Sequence, residues 1–166
     1  STRRRQRQMC IRDRDSSGNT SIPSGRVLNA PGHIIQVQTL NPTVANKQIT
    51  STSFVTSEFA INITPNFSSS KILISCCFNL YKSASGTNVY CTIYKDSTNL
   101  GHATYGMGEF SGLGAAGGQL AHLQILNSPN TTSQVTYTMF ARVNSGNVYV
   151  QSNSAVGNIT AMEIAS

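Results

Sequence analysis

The sequence predicts an all-β chain, an antiparallel β-sandwich of jelly-roll type with eight or nine short strands. Three observations predict it. Apolar residues alternate with polar ones in run after run, and clusters of Gly, Pro, Asn, Asp and Ser break the runs at short intervals. No window carries an i, i+3, i+4, i+7 apolar pattern with caps. The nearest helical candidate, 113–126, starts among Gly112, Gly114, Gly117 and Gly118. Each interior glycine costs a helix about 1 kcal/mol.

The strand-like runs follow in order. The segment 33–40 is rich in Ile and Val. Phe59, Ile61 and Ile63 alternate with Ala60, Asn62 and Thr64. In 71–81, Ile72, Ile74, Cys76, Phe78 and Leu80 share one face, and Val89, Cys91 and Ile93 do so in 88–95. Leu120, His122 and Gln124 oppose Ala121, Leu123 and Ile125. Val135, Tyr137, Met139, Ala141 and Val143 form a further stripe, followed by Val148 and Val150 and then 159–164. Successive side chains of a strand point to opposite faces, so each stripe marks a half-buried strand. Turn signals lie between the runs, among them Thr64-Pro65-Asn66, Ser85-Gly86, Ser128-Pro129-Asn130 and Asn144-Ser145-Gly146.

Three segments organise the chain. Residues 1–14 differ in composition from the rest, and RRRQRQMCIRDR resembles translated sequencing-adapter DNA, so this segment is expected to be non-native and to stay out of the fold. Residues 15–32, rich in Ser, Gly, Asn and Pro, read as a linker, and 33–166 as the sandwich domain. The net charge of +6 belongs to the first segment, where six of the twelve basic residues lie. From Asp15 onward six basic residues face five acidic ones, which leaves no field for gathering nucleic acid. No apolar run approaches the ~20 residues of a membrane-spanning helix, so membrane insertion is not expected. No secretory leader is recognised either, so the matches to the glycosylation sequon at Asn62, Asn66, Asn130 and Asn158 are expected to be unused.

Little in the chain suggests catalysis. Gly112-Leu113-Gly114-Ala115-Ala116-Gly117 matches GxGxxG, yet no acidic residue stands about 20 positions on and no P-loop Lys follows. The histidines, His33, His102 and His122, are far apart, and Glu58, Asp96, Glu109 and Glu163 are isolated, so neither a metal set nor a carboxylate pair is indicated. No cofactor, metal or catalytic residue is expected. Of the four cysteines, Cys10 lies in the basic segment and Cys76, Cys77 and Cys91 lie in strand runs without zinc spacing. Cys76 and Cys91 are expected to face the interior as thiols.

Two sets of residues carry the interaction readings. Tyr90, Tyr94 and Phe140 lie opposite the main stripes of their strands and are candidates for a subunit interface, or for packing under loops within one subunit. Leu73, Cys77 and Tyr81 likewise oppose the main stripe of their run. The glycine-rich stretch 105–114 carries Tyr105, Met107, Phe110 and Leu113 on a backbone too flexible for a regular strand, and is a candidate binding loop.

Several stretches together resemble a known family. GNTSIPSGRVLNAPGHIIQV (18–37), ITPNFSSSKILI (63–74), LNSPNTTSQVTYTMF (126–140) and ITAMEIA (159–165) resemble, in order, the C-terminal β-sandwich module of marine-phage (cyanophage-like) virion structural and tail-fibre proteins. The resemblance implies a homotrimeric appendage module in the virion, assembled in the host cytoplasm. Its partners would be other virion proteins and a host-surface glycan or protein. A carbohydrate-binding or carbohydrate-active (depolymerase-like) module is the alternative. The motifs are structural, so no binding residue is carried over.

Overall fold

The computed structural model describes residues 27, 30–42, 46–82, 85–111, 117–152 and 155–166. The basic segment 1–14, most of the linker 15–32, and Leu113 with the rest of 112–116 lie outside these residues.

Among the described residues there are eleven strands: β1 (Ile34–Leu40), β2 (Lys47–Ile49), β3 (Val55–Ile63), β4 (Lys71–Lys82), β5 (Val89–Lys95), β6 (Thr98–Asn99), β7 (Gly108–Phe110), β8 (Gly117–Asn127), β9 (Val135–Val143), β10 (Val148–Val150) and β11 (Asn158–Ile164). The number exceeds the eight or nine expected because β2, β6 and β7 hold two or three residues each. So few positions cannot display alternation.

All the pairings are antiparallel, in two sheets. With β2, β6 and β10 set aside as short additions, the other eight strands run β1-β11-β4-β8 in the first sheet and β3-β9-β5-β7 in the second. Written from first to eighth along the chain, the orders are 1-8-3-6 and 2-7-4-5, the interleaving of a jelly roll. In the first sheet β4 carries β8 along one edge. Its other edge is shared, with β11 along 71–77 and β10 along 80–82. Buried Gln151 spans the gap between the two: its backbone N–H donates to the Asn79 carbonyl (2.9 Å), and its side-chain carbonyl accepts from the Asn79 N–H (2.8 Å).

The core lies between the sheets and is built from the inward stripes. Ile72, Ile74, Cys76, Phe78 and Leu80 of β4 meet Phe59, Ile61 and Ile63 of β3, the Val135-to-Val143 stripe of β9, and Val89, Cys91 and Ile93 of β5. Phe59 and Phe78 touch across the sandwich at 6.3 Å between centroids. Each fully buried aliphatic or aromatic side chain contributes roughly 1.5–3 kcal/mol. A one-residue slip of β4 would turn all five of its core residues to the outside, and this fixes its register. Tyr137 is also wholly buried, and its hydroxyl donates to the Asn127 side-chain carbonyl at 2.8 Å. Cys76 and Cys91 are free, buried thiols. Burial pushes both well above the usual thiol range, in Cys76 with smaller contributions from Cys91 and Cys77, which leaves them protonated and poorly nucleophilic.

Two local departures interrupt the regular alternation. In β3 the register to β9 shifts between Thr56 and Ala60, and Glu58 takes φ +69° there. The Ser57 hydroxyl fills the bulge, donating to the Met139 carbonyl (2.7 Å) and accepting from the Phe59 N–H (3.2 Å). In β11, Ile159 and Ala161 face the core, and so does Glu163, which is completely buried. Its carboxylate accepts from Gln36 Nε2 (2.7 Å), Asn66 Nδ2 (2.9 Å) and the backbone N–H groups of Asn66 (2.8 Å) and Phe67 (3.2 Å). Burial alone would raise its pKa, but the hydrogen bonds from Gln36 and Asn66 favour the charged form and hold it below the usual carboxylate range.

Candidate functional site

The site is on the outer face of the second sheet. The register of β5 against β9 sets Tyr90 opposite Arg142, Thr92 opposite Phe140 and Tyr94 opposite Thr138. These side chains point away from the core, since Val89, Cys91, Ile93, Met139, Ala141 and Val143 point into it. Tyr94 and Phe140 are therefore diagonal neighbours, and their rings stack at 3.9 Å with 22° between planes.

A loop over 100–106 folds back across this face. His102 and Gly106 exchange backbone hydrogen bonds (3.0 and 2.8 Å), and His102 Nδ1 accepts from the N–H groups of Thr104 and Tyr105, both at 3.1 Å. Nδ1 thus holds the turn as an acceptor. Gly106 allows the close approach: its φ is +65°, and a Cβ there would lie 2.4 Å from the Cys91 carbonyl oxygen. The loop brings Tyr105 against Tyr90 (5.9 Å) and against the His102 ring (5.2 Å).

Arg142 ties this loop to the β2–β3 connection. Its Nε donates to the Thr104 carbonyl (2.7 Å) and its Nη1 to the Thr52 carbonyl (3.3 Å). Its guanidinium lies 4.1 Å from the Tyr90 ring centroid and 5.7 Å from that of Phe54. Between the two tied segments runs an open groove of about 400 Å³. Thr52, Ser53 and Phe54 form one wall, Ala103 and Thr104 the other, with Tyr94 and Arg142 completing the lining.

The sequence-predicted residues divide accordingly. Tyr90, Tyr94, Phe140 and Tyr105, from both predicted sets, meet on this one face. Tyr90 is only 7% exposed, covered by Arg142 and Tyr105 of its own chain. Met107 and Phe110 pack against the core instead, and the expectation of an irregular backbone is corrected there: 108–110 is strand β7, paired with 89–91 of β5. Arg142 and Phe54 were not singled out from sequence. The signal for Arg142 is its place opposite Tyr90, legible only once β5 and β9 are paired.

Other titratable groups serve the scaffold. Glu58 pairs with Lys47, Asp96 accepts from the Thr136 N–H (3.0 Å), Glu109 accepts from Asn88 Nδ2 (2.9 Å), and Glu163 anchors the 66–67 turn. These four carboxylates lie on four different elements and share no hydrogen-bond partner among the described residues. His122 bonds Ser75 at 2.9 Å on the outer face of the first sheet, away from His102. Buried Lys82 donates to the Thr87 carbonyl at 2.9 Å. No group of three metal-ligating side chains occurs among the described residues.

No family model matches the sequence, and no curated protein matches it. Among solved structures, the chain is similar to the infectious bursal disease virus VP2 subviral particle, with a TM-score of 0.50 and 13% identity over 92% of this chain and 38% of that one. A structure of the Gx strain of infectious bursal disease virus is also similar, with a TM-score of 0.47 and 15% identity over 88% and 37%. The chain thus spans less than two fifths of either neighbour's length. At this identity the likeness is one of fold: a two-sheet jelly roll of the kind found in a viral particle protein.

Proposed function

We propose that the chain is a jelly-roll module of a phage virion appendage, a tail or capsid fibre, which assembles as a homotrimer and takes part in attachment to the host surface. The observation that carries this reading is the interleaved eight-strand order, a fold it has in common with a subviral-particle protein. The resemblance of 18–37, 63–74, 126–140 and 159–165 to phage virion modules points the same way.

The outer face of the first sheet supports assembly. Val37, Met162, Leu73 and Leu126 are consecutive cross-strand partners on β1, β11, β4 and β8, so one rung of the sheet is apolar from edge to edge. Val37 and Leu126 are about half exposed in the single chain, and Leu120 is 70% exposed. Contiguous apolar surface of this kind marks contact faces, and closed rotational symmetry would bury three copies of it. Light scattering on the full chain at micromolar concentration is the test. The expected mass is three times the 17.8 kDa chain, and a monomer mass would overturn the assembly.

A further inference from the structure

We propose that the groove between the 52–54 and 103–104 segments binds an acidic sugar unit of a polysaccharide, with Arg142 meeting its carboxylate and Tyr94 stacking on its ring. The volume, about 400 Å³, lies near the lower end of small-ligand sites and suits one or two sugar rings rather than a folded partner.

The charge selects the class. Among the described lining residues Arg142 is the only charged side chain, and no carboxylate lines the groove. A guanidinium has five N–H donors, and the bonds to Thr104 and Thr52 use two of them. Those bonds and the Tyr90 ring at 4.1 Å fix the plane of the cation before any ligand arrives. A fixed guanidinium fork matches a carboxylate and loses little freedom on binding it. The near-neutral charge of the chain from Asp15 onward argues against a polyphosphate backbone, which needs many cations rather than one.

The remaining lining suits a sugar. Tyr94 is braced from one side by Phe140 and is half-buried, so it offers a rigid ring to the apolar face of a pyranose. Thr52, Ser53 and Thr104 are exposed and supply hydroxyl groups around it. A neutral sugar would use the ring and the hydroxyls but offer the cation no anion, so acidic sugars should bind more tightly.

The inference rests on the attachment reading only for where such a sugar would be met. NMR titration of the full chain with trigalacturonate, and with maltotriose as the neutral comparison, tests it. Shifts should fall on 52–54, Tyr94, Ala103, Thr104 and Arg142. The acidic trisaccharide should bind at least about tenfold more tightly, a difference of about 1.4 kcal/mol, and weaken as salt rises from about 0.05 to 0.5 M. Ala103 is exposed and makes none of the Arg142 bonds. Ala103→Glu should lower the affinity for trigalacturonate about tenfold or more without moving the melting temperature, and Ala103→Gln, which adds the same bulk without the charge, should lower it at least about threefold less than Ala103→Glu does. Equal binding of both sugars, absence of trigalacturonate binding, or indifference to Ala103→Glu would each overturn the site. Any of these would leave the trimer mass untouched, and a monomer mass would leave the groove untouched.

Discussion

The outer faces of the two sheets both carry large apolar or aromatic side chains and treat them differently. On the second sheet the 100–106 loop and Arg142 cover Tyr90 down to 7% exposure. On the first sheet the Val37–Met162–Leu73–Leu126 rung stays open, with Val37 50% and Leu126 51% exposed. Alternation in a strand separates two faces but does not say which of them a loop will cross. The covering of the second face depends on contacts remote in sequence, chiefly Arg142 to Thr104 and Gly106 against Cys91.

The sharpest way to break this contrast is Gly106→Val. It forces a branched side chain into a left-handed backbone and against the Cys91 carbonyl, so the loop must lift and uncover Tyr90. A loss of at least about 3 kcal/mol in urea unfolding is expected. An unchanged midpoint would show that the loop does not depend on this approach.

Glu163 offers a control inside the first sheet. Glu163→Gln places an amide donor among the donors of Gln36, Asn66 and Phe67, and a loss of about 2 kcal/mol at neutral pH is expected. Because the folded-state pKa is lowered, the carboxylate's contribution is complete above the ordinary glutamate value of about 4.3 and is lost as pH falls through the lower folded value. The wild type should therefore lose stability on acidification more steeply than the variant. Parallel pH profiles would contradict the assignment.

Arg142→Met keeps the bulk over Tyr90 but removes two hydrogen bonds and the charge. About 1–2 kcal/mol should be lost, with a change in near-ultraviolet circular dichroism from the tyrosines. At the small end, Leu126→Ser should alter monomer stability by no more than about 0.5 kcal/mol while shifting the scattering mass toward monomer. A larger loss would mean that the rung supports the single chain rather than an interface.

The long stripes of β4 and β9 were fully legible, since five successive inward positions in each are apolar. So was the interior placement of Cys76 and Cys91. Glu163 was not, because a carboxylate in the inward phase of 159–165 looks like the end of a stripe, and only the distant Gln36 and Asn66 make it tolerable there. Tyr94 and Phe140 could be flagged as apolar residues on second faces, but their stacking required knowing that β5 lies beside β9. Arg142 reads in the sequence as an ordinary outward residue. Its role arises from two carbonyls 38 and 90 residues away.

The position of β11 bears on how the chain is made. It lies between β1 and β4, so the first sheet is divided until 158–164 have left the ribosome. Until then β1 has no partner strand among those described, and the 71–77 edge of β4 is bare. Open edges of this sort recruit strands from neighbouring nascent chains. Ring closure over such sequence separations is also slow. A polypeptide released early would therefore carry an aggregation-prone gap through the middle of the sheet, and the first sheet closes only when synthesis has passed β11.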